Sequence, residues 1–198
     1  KEDGQSASIA TDGSDEIDWF HNNSLWYDEK NDLVLLSARH KDAIIAIHKS
    51  DKSLAWILGD PANWNGVDKK YFFTPTGNDF EWQYAQHQIT MLDNGDIMMF
   101  DNGTAKVKLS DNDNRVSGDD IYSRAVVYHI NTDDMTIEQV FEYGKERGPE
   151  WYSDWISGVI SLDGTKDQLW ITAGANLYDD ENNRYDHYPT DMMKQGLI

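Results

Sequence analysis

The sequence predicts an all-β chain built from four-stranded antiparallel β-propeller blades, about two to three of them, and three observations carry that expectation. One plan recurs: a histidine, an apolar strand, an acidic turn and a second apolar strand occupy residues 21–36 and again 87–100. A third copy at residues 157–172 keeps the strands but has no histidine. The following segments also match, because residues 43–59 and 125–144 each read as strand, polar turn, strand and closing glycine. Four short strands per unit, at a period of roughly 40 to 65 residues, suit a propeller blade better than a sandwich.

Taken in order, residues 1–16 are rich in Gly, Ser, Asp and Thr and read as a linker or loop. The first blade spans 17–59, with its first strand beginning near Asp18-Trp19-Phe20. Residues 60–78 place Pro61, Gly66, Pro75 and Gly77 among Trp64, Tyr71, Phe72 and Phe73, which reads as a long loop with an aromatic lining. The second blade spans 79–144 and contains the clearest hairpin, His87 to Phe100, turned by Asp93-Asn94-Gly95. Within it, residues 104–123 form an acidic interruption that reads as a solvated loop; alternating oxygen ligands could suit Ca²⁺, but the EF-hand spacing and its closing Glu are absent. Residues 150–198 start a further blade and end in a loop-like tail.

A propeller closes with about four to eight blades. A chain of 198 residues holding fewer than three is therefore expected to be part of a longer protein, or to complete its ring with a homo-oligomer partner. The net charge of −19 argues against a nucleic-acid or anionic-membrane partner, which the average surface would repel. With no cysteine there is no disulfide framework and no Cys-x-x-Cys metal site. No apolar run reaches the length of a membrane span and no signal-peptide pattern opens the chain.

In a propeller the first strand of each blade lines the central channel, so matching early positions converge on one axis. His21 and His87 hold that position in neighbouring units, and period-two alternation makes Asn23 share the face of His21. Arg39 follows the second strand where the chain returns to the same mouth. His40, His48, His129 and His187 read as packed or surface residues, and Arg39 beside Asp42 could equally be an ordinary surface ion pair. The repeat register is what singles out His21 and His87.

Three stretches, Asp18-Trp19-Phe20-His21-Asn22-Asn23-Ser24, Leu36-Ser37-Ala38-Arg39-His40-Lys41-Asp42, and Gln86-His87 with Asp101-Asn102-Gly103, resemble the bacterial arylsulfate sulfotransferases that do not use PAPS. The resemblance implies a six-bladed propeller whose channel histidine is transiently sulfated, and covers most of the chain. By motif, His87 corresponds to the nucleophile, His21 and Asn23 to its partners, and Arg39 to the clamp on the sulfuryl oxygens. Tyr152 and Ser153, at the channel position of the third unit, are candidates to touch the sulfuryl group.

A sulfate monoester spreads its charge over three terminal oxygens, so its transfer should resemble phosphoryl transfer, dominated by positioning and electrostatics. A neutral imidazole attacks without prior deprotonation, and His21 is the candidate acid for the leaving phenolate and base for the incoming phenol. The resemblance thus implies an aryl sulfate donor, a phenolic acceptor, no metal, no diffusible cofactor, and a periplasmic or secreted location. The 8 Trp, 10 Tyr and 6 Phe offer stacking for an aryl ring, with Trp82 and Tyr84 added to the loop aromatics, although propeller packing uses aromatics too. The competing readings are a non-catalytic propeller that binds a small anion or a protein partner in its channel, and a purely structural repeat array.

Overall fold

The computed structural model describes residues 8–9, 17–104, 122–153 and 155–174. A short antiparallel pair, β1 (Ser8–Ile9) with β2 (Ile17–Asp18), precedes the first large sheet. That sheet is an antiparallel meander in sequence order: β3 (Asn22–Asp28), β4 (Leu33–Ala38), β5 (Ala43–His48) and β6 (Leu54–Leu58). A second meander follows, β8 (His87–Met91), β9 (Ile97–Asp101), β10 (Arg124–Asn131) and β11 (Thr136–Tyr143). Its outer edge carries β7 (Thr74–Thr76), parallel to β11. A hairpin of β12 (Gly158–Ser161) and β13 (Leu169–Thr172) ends the described part. The fold is thus almost wholly antiparallel sheet, and the described residues form no closed ring.

The middle sheet is apolar at successive positions because both of its faces are covered. Ile97, Met99, Val126 and Tyr128 pack with Leu33, Leu35, Ile44, Ala46, Trp56 and Leu58 of the first sheet. The alternate residues Met98, Phe100, Ala125 and Val127 pack with Leu92 and with Val159 of β12. The period-two pattern therefore makes two separate cores from one pair of strands.

The segment 60–78 is more ordered than a loop. Thr74 donates its N–H to Met135 O at 2.7 Å, and Thr76 Oγ1 donates to Ile137 O at 3.0 Å, which makes residues 74–76 an edge strand where Pro75 lacks no ladder bond. Phe72 and Phe73, expected to line a mouth, are buried: Phe72 packs with Ala43 and Ile57, and Phe73 meets Trp56 edge-on at 5.4 Å. The early strand expected at Asp18-Trp19-Phe20 amounts to the short β2, after which the chain turns at His21 in the left-handed region (φ 48) and β3 begins at Asn22. The acidic stretch 105–121 with its Ca²⁺ reading, the tail from 175 and His187 lie outside the described residues.

Candidate active site

Residues 83–87 approach the site as a bridge between the two meanders. Gln83 Nε2 donates to Asp42 O (3.1 Å) and Leu58 O (3.0 Å), and Gln86 Nε2 donates to Ser37 Oγ (3.1 Å) and Ala43 O (3.0 Å). The Ala85 N–H donates to Asp42 Oδ1 at 2.7 Å. From the other side, Asp101 Oδ1 accepts from the N–H groups of Tyr84 (2.9 Å) and Gly103 (3.0 Å). Buried donors with fixed acceptors hold a segment without regular structure as firmly as a strand ladder does.

His87 opens β8 from this bridge. It is half-buried, and its Nδ1 lies 2.7 Å from Asn102 Oδ1. Burial lowers its pKa from 6.5 to about 4; the hydrogen bonds to Asn102 and to the Ala85 backbone oppose the shift, and the charge of Arg39 and the His21 ring reinforce it. His87 is neutral at physiological pH.

Asn23 reaches the same place from the first sheet. Its Nδ2 donates to Gln86 O at 2.8 Å, one residue before His87, and its Oδ1 is buried with no hydrogen-bond partner among the described residues. Asn23 sits in a bulge, since Asn22 pairs with Ala38 and Ser24 with Ser37, so strict alternation with His21 does not hold there. The bulge turns the Asn23 amide toward the second sheet.

His21 lies one residue before β3, whereas His87 is the first residue of β8, so the two histidines are offset relative to the starts of their strands. Asp18 holds His21 twice: its carboxylate accepts the backbone N–H at 2.9 Å and bonds ring Nδ1. The His21 ring packs against that of His40, with centroids 4.7 Å apart. Against the cost of desolvation, the His21 hydrogen bond and the neighbouring His40 keep the Asp18 pKa below its usual value.

Arg39 and His40 stand in a 3-10 turn, Arg39–Lys41, placed by Arg39 N–H on His21 O (3.1 Å) and His40 N–H on Phe20 O (3.3 Å). Arg39 Nη1 lies 3.0 Å from His40 Nε2, and His40 Nδ1 lies 2.5 Å from Asp18 O. A guanidinium only donates and a carbonyl only accepts, so His40 carries its proton on Nδ1 and receives Arg39 at Nε2. Burial, with Arg39 beside it, lowers the His40 pKa. His40, expected to be a packed or surface residue, is buried and also supports Arg39.

Asp18, His21 and His40 bring possible metal ligands within 4.8 Å of one another. A ring nitrogen that accepts from a guanidinium is a poor cation ligand, and the other ring contacts are made to Asp18. The donor set therefore fits an ion-pair and hydrogen-bond cluster better than a metal centre.

The third unit contributes from behind. Ser153 is fully buried; its carbonyl accepts from Asn102 Nδ2 at 2.7 Å, and its hydroxyl meets Ser157 Oγ (2.8 Å) and Trp155 O (3.0 Å). Tyr152 is half-buried and its backbone N–H donates to Pro149 O at 3.3 Å. The structure thus joins His87 to Asn23 through Gln86, sets Arg39 and His21 within electrostatic reach of His87, and links Ser153 to His87 through Asn102. Asn102 is a residue that the sequence reading quoted only within the Asp101-Asn102-Gly103 motif, with no role of its own; its further signal was a second Asp-Asn-Gly after a strand.

In an all-β chain, then, a half-buried imidazole, His87, lies within electrostatic reach of the Arg39 guanidinium, and comparison with known proteins gives the family. A family profile described as Arylsulfotransferase (ASST) matches residues 2–195, and the chain belongs to that family. An arylsulfate sulfotransferase AssT from Lelliottia amnigena is 32% identical over 181 residues, covering 83% of this chain and 29% of the relative. Another arylsulfate sulfotransferase AssT, from Escherichia coli O6:H1, is 30% identical over 178 residues, covering 81% of this chain and 29% of the relative. The chain spans under a third of the length of these curated relatives.

Proposed function

We propose that the protein carrying this chain moves the sulfuryl group of an aryl sulfate ester to a phenol in two steps, through a sulfated His87. The observation that carries this reading is the half-buried His87 imidazole, held at Nδ1 by Asn102 and kept neutral chiefly by its burial, with the Arg39 charge in electrostatic reach. Family membership and the names of the curated relatives support the same chemistry.

In the first step a His87 ring nitrogen gives its lone pair to sulfur while the bond from sulfur to the aryl oxygen breaks and its electron pair leaves with the phenolate. The ring becomes a sulfated imidazolium, and His21 supplies a proton to the phenolate. In the second step His21 takes the proton of the incoming phenol, the phenol oxygen attacks sulfur, and His87 departs as the neutral ring. Arg39 pairs with two sulfuryl oxygens and the second N–H of Asn23 donates to the third. Ser153 backs the site from the third unit through Asn102, with Tyr152 next to it in the chain. No metal and no diffusible cofactor enters the balance.

The two meanders and the hairpin are successive blades of a six-bladed propeller with the site in its channel, and the remaining blades or a second copy complete the ring. Donor, acceptor and a place outside the cytoplasm, periplasmic or secreted, come with the family reading. Among the described residues no helix is long and apolar enough to cross a membrane.

The test is His87→Ala in the full-length protein, assayed for phenol release from a chromogenic aryl sulfate and for sulfation of an acceptor. Both activities should vanish while aryl sulfate binding persists. Retained transfer would refute the reading; binding without phenol release by the unaltered protein would leave a channel that only binds.

A further inference from the structure

Resting on the assignment of His87 as the attacking group, we propose that Asn102 is a positioning residue that fixes His87 as its Nδ1–H tautomer and so presents the Nε2 lone pair to sulfur. The orientation of the Asn102 amide follows from what lies at its two ends. Nδ2 faces Ser153 O at 2.7 Å and Ser157 Oγ at 3.3 Å; a carbonyl only accepts, so the amide nitrogen belongs there. Turned over, the amide would set its oxygen against the Ser153 carbonyl. Oδ1 therefore faces His87 Nδ1, and because Oδ1 only accepts, Nδ1 carries the hydrogen.

The backbone on both sides of this amide is held in place. Asn102 is fully buried, and its carbonyl accepts from Ser123 Oγ at 2.8 Å. The next residue is Gly103 at φ +71, where a Cβ would stand 2.3 Å from Tyr122 O, so only glycine allows the chain to pass. Gly103 N–H is itself held by Tyr84 O at 3.0 Å, which ties the end of β9 to the bridge that delivers His87.

An aspartate would orient the ring equally well, and the amide has two advantages over it. A carboxylate adjacent to the ring would stabilise the imidazolium, which has no lone pair to offer, and would repel an anionic ester. The amide does neither. When Nε2 bonds to sulfur the ring becomes cationic and keeps its Nδ1 hydrogen, so the bond to Oδ1 strengthens as charge develops and favours the transition state over the ground state. The other charged or titratable groups facing His87 are Arg39 and His21, and the Ala85 backbone also bonds the ring; Asp42 and Asp101 hold the bridge behind it.

Long-range nitrogen NMR on the full-length protein reads the tautomer of His87 directly, before any catalysis. The expected result is a hydrogen on Nδ1, lost or mixed in Asn102→Ala, with kcat lower by about 10²–10⁴-fold and KM little changed. Asn102→Asp should keep the tautomer, raise KM for the aryl sulfate, and move the acid limb of kcat/KM upward by about 1–3 pH units. A hydrogen on Nε2 in the unaltered protein, or an alanine variant with an unchanged tautomer and pH profile, would overturn the inference. Should His87→Ala still transfer sulfate while the tautomer is as described, the assignment of the nucleophile fails and the catalytic role of Asn102 falls with it.

Discussion

Arg39 holds its place through a neutral neighbour: its guanidinium donates to His40 Nε2, and His40 is in turn fixed by Asp18 O. A lysine at this position retains the charge but loses the planar fork that matches two oxygens of a sulfuryl group. Arg39→Lys is expected to lower kcat/KM by about 10²–10³-fold with the fold intact, as steady-state kinetics would show. Asp42 makes a prediction of a different kind. Burial raises its pKa from 3.8 to about 7, with Asp101 adding to the shift and the Ala85 hydrogen bond and Arg39 opposing it. A raised carboxyl pKa contributes stability that is complete below the unfolded value and is lost as pH rises through the folded one. Asp42→Asn keeps an acceptor for Ala85 N–H and removes the titration. In urea unfolding the wild type should therefore lose stability relative to this variant between about pH 4 and pH 8, and a constant difference would contradict the assignment. At this scale the motifs offered His87, His21, Asn23 and Arg39 as candidates, and the structure sets Arg39 and His21 within electrostatic reach of His87 and ties Asn23 to Gln86 beside it. Asn102 and His40 were not among them, because the partners that hold them, Ser153 and Asp18, are named by no local pattern.

The strands were legible because alternation and Asn-Gly turns are local, and β8 with β9 lies where the hairpin pattern put it. β7 was hidden: its partner β11 is some 60 residues away in the chain, and a Thr-Pro-Thr segment resembles a loop until that partner is known. The bulge at Asn23 was hidden for a related reason, since the departure from alternation shows only against the register of β4. Arg124 joins the elements most tightly. It is fully buried on β10 and donates to Asp101 Oδ2 (2.9 Å), Glu142 Oε2 (2.7 Å), Gln139 Oε1 (2.9 Å) and Glu81 O (3.0 Å). Asp101 also holds Tyr84 and Gly103, so the arginine supports the bridge that carries His87. Arg124→Met leaves the Asp101 carboxylate buried without its cation, and is expected to cost about 3–5 kcal/mol in denaturant unfolding. A loss under about 1 kcal/mol would show that the network adds little.

Both outer sheets of the molecule keep apolar side chains in the open: Leu25 is 59% exposed on the first, and Leu162 and Trp170 are 59% and 63% exposed on the last hairpin. The middle sheet, covered on both faces, shows what such residues do when they have neighbours. The period of the repeats was legible in the sequence, because matching strands recur in the two meanders. In the full-length protein, Leu25→Ala should cost about 2–4 kcal/mol if a further sheet covers it, and stay within about 0.5 kcal/mol if that face meets solvent. Equilibrium unfolding distinguishes the two.

The most direct measurement of the central claim is peptide mapping of the full-length protein after brief exposure to an aryl sulfate, read by intact mass and then by fragment. The account predicts one sulfuryl group on the peptide containing His87, discharged when a phenol is added. An adduct on another residue, or rapid phenol release with no adduct at any time, would contradict it.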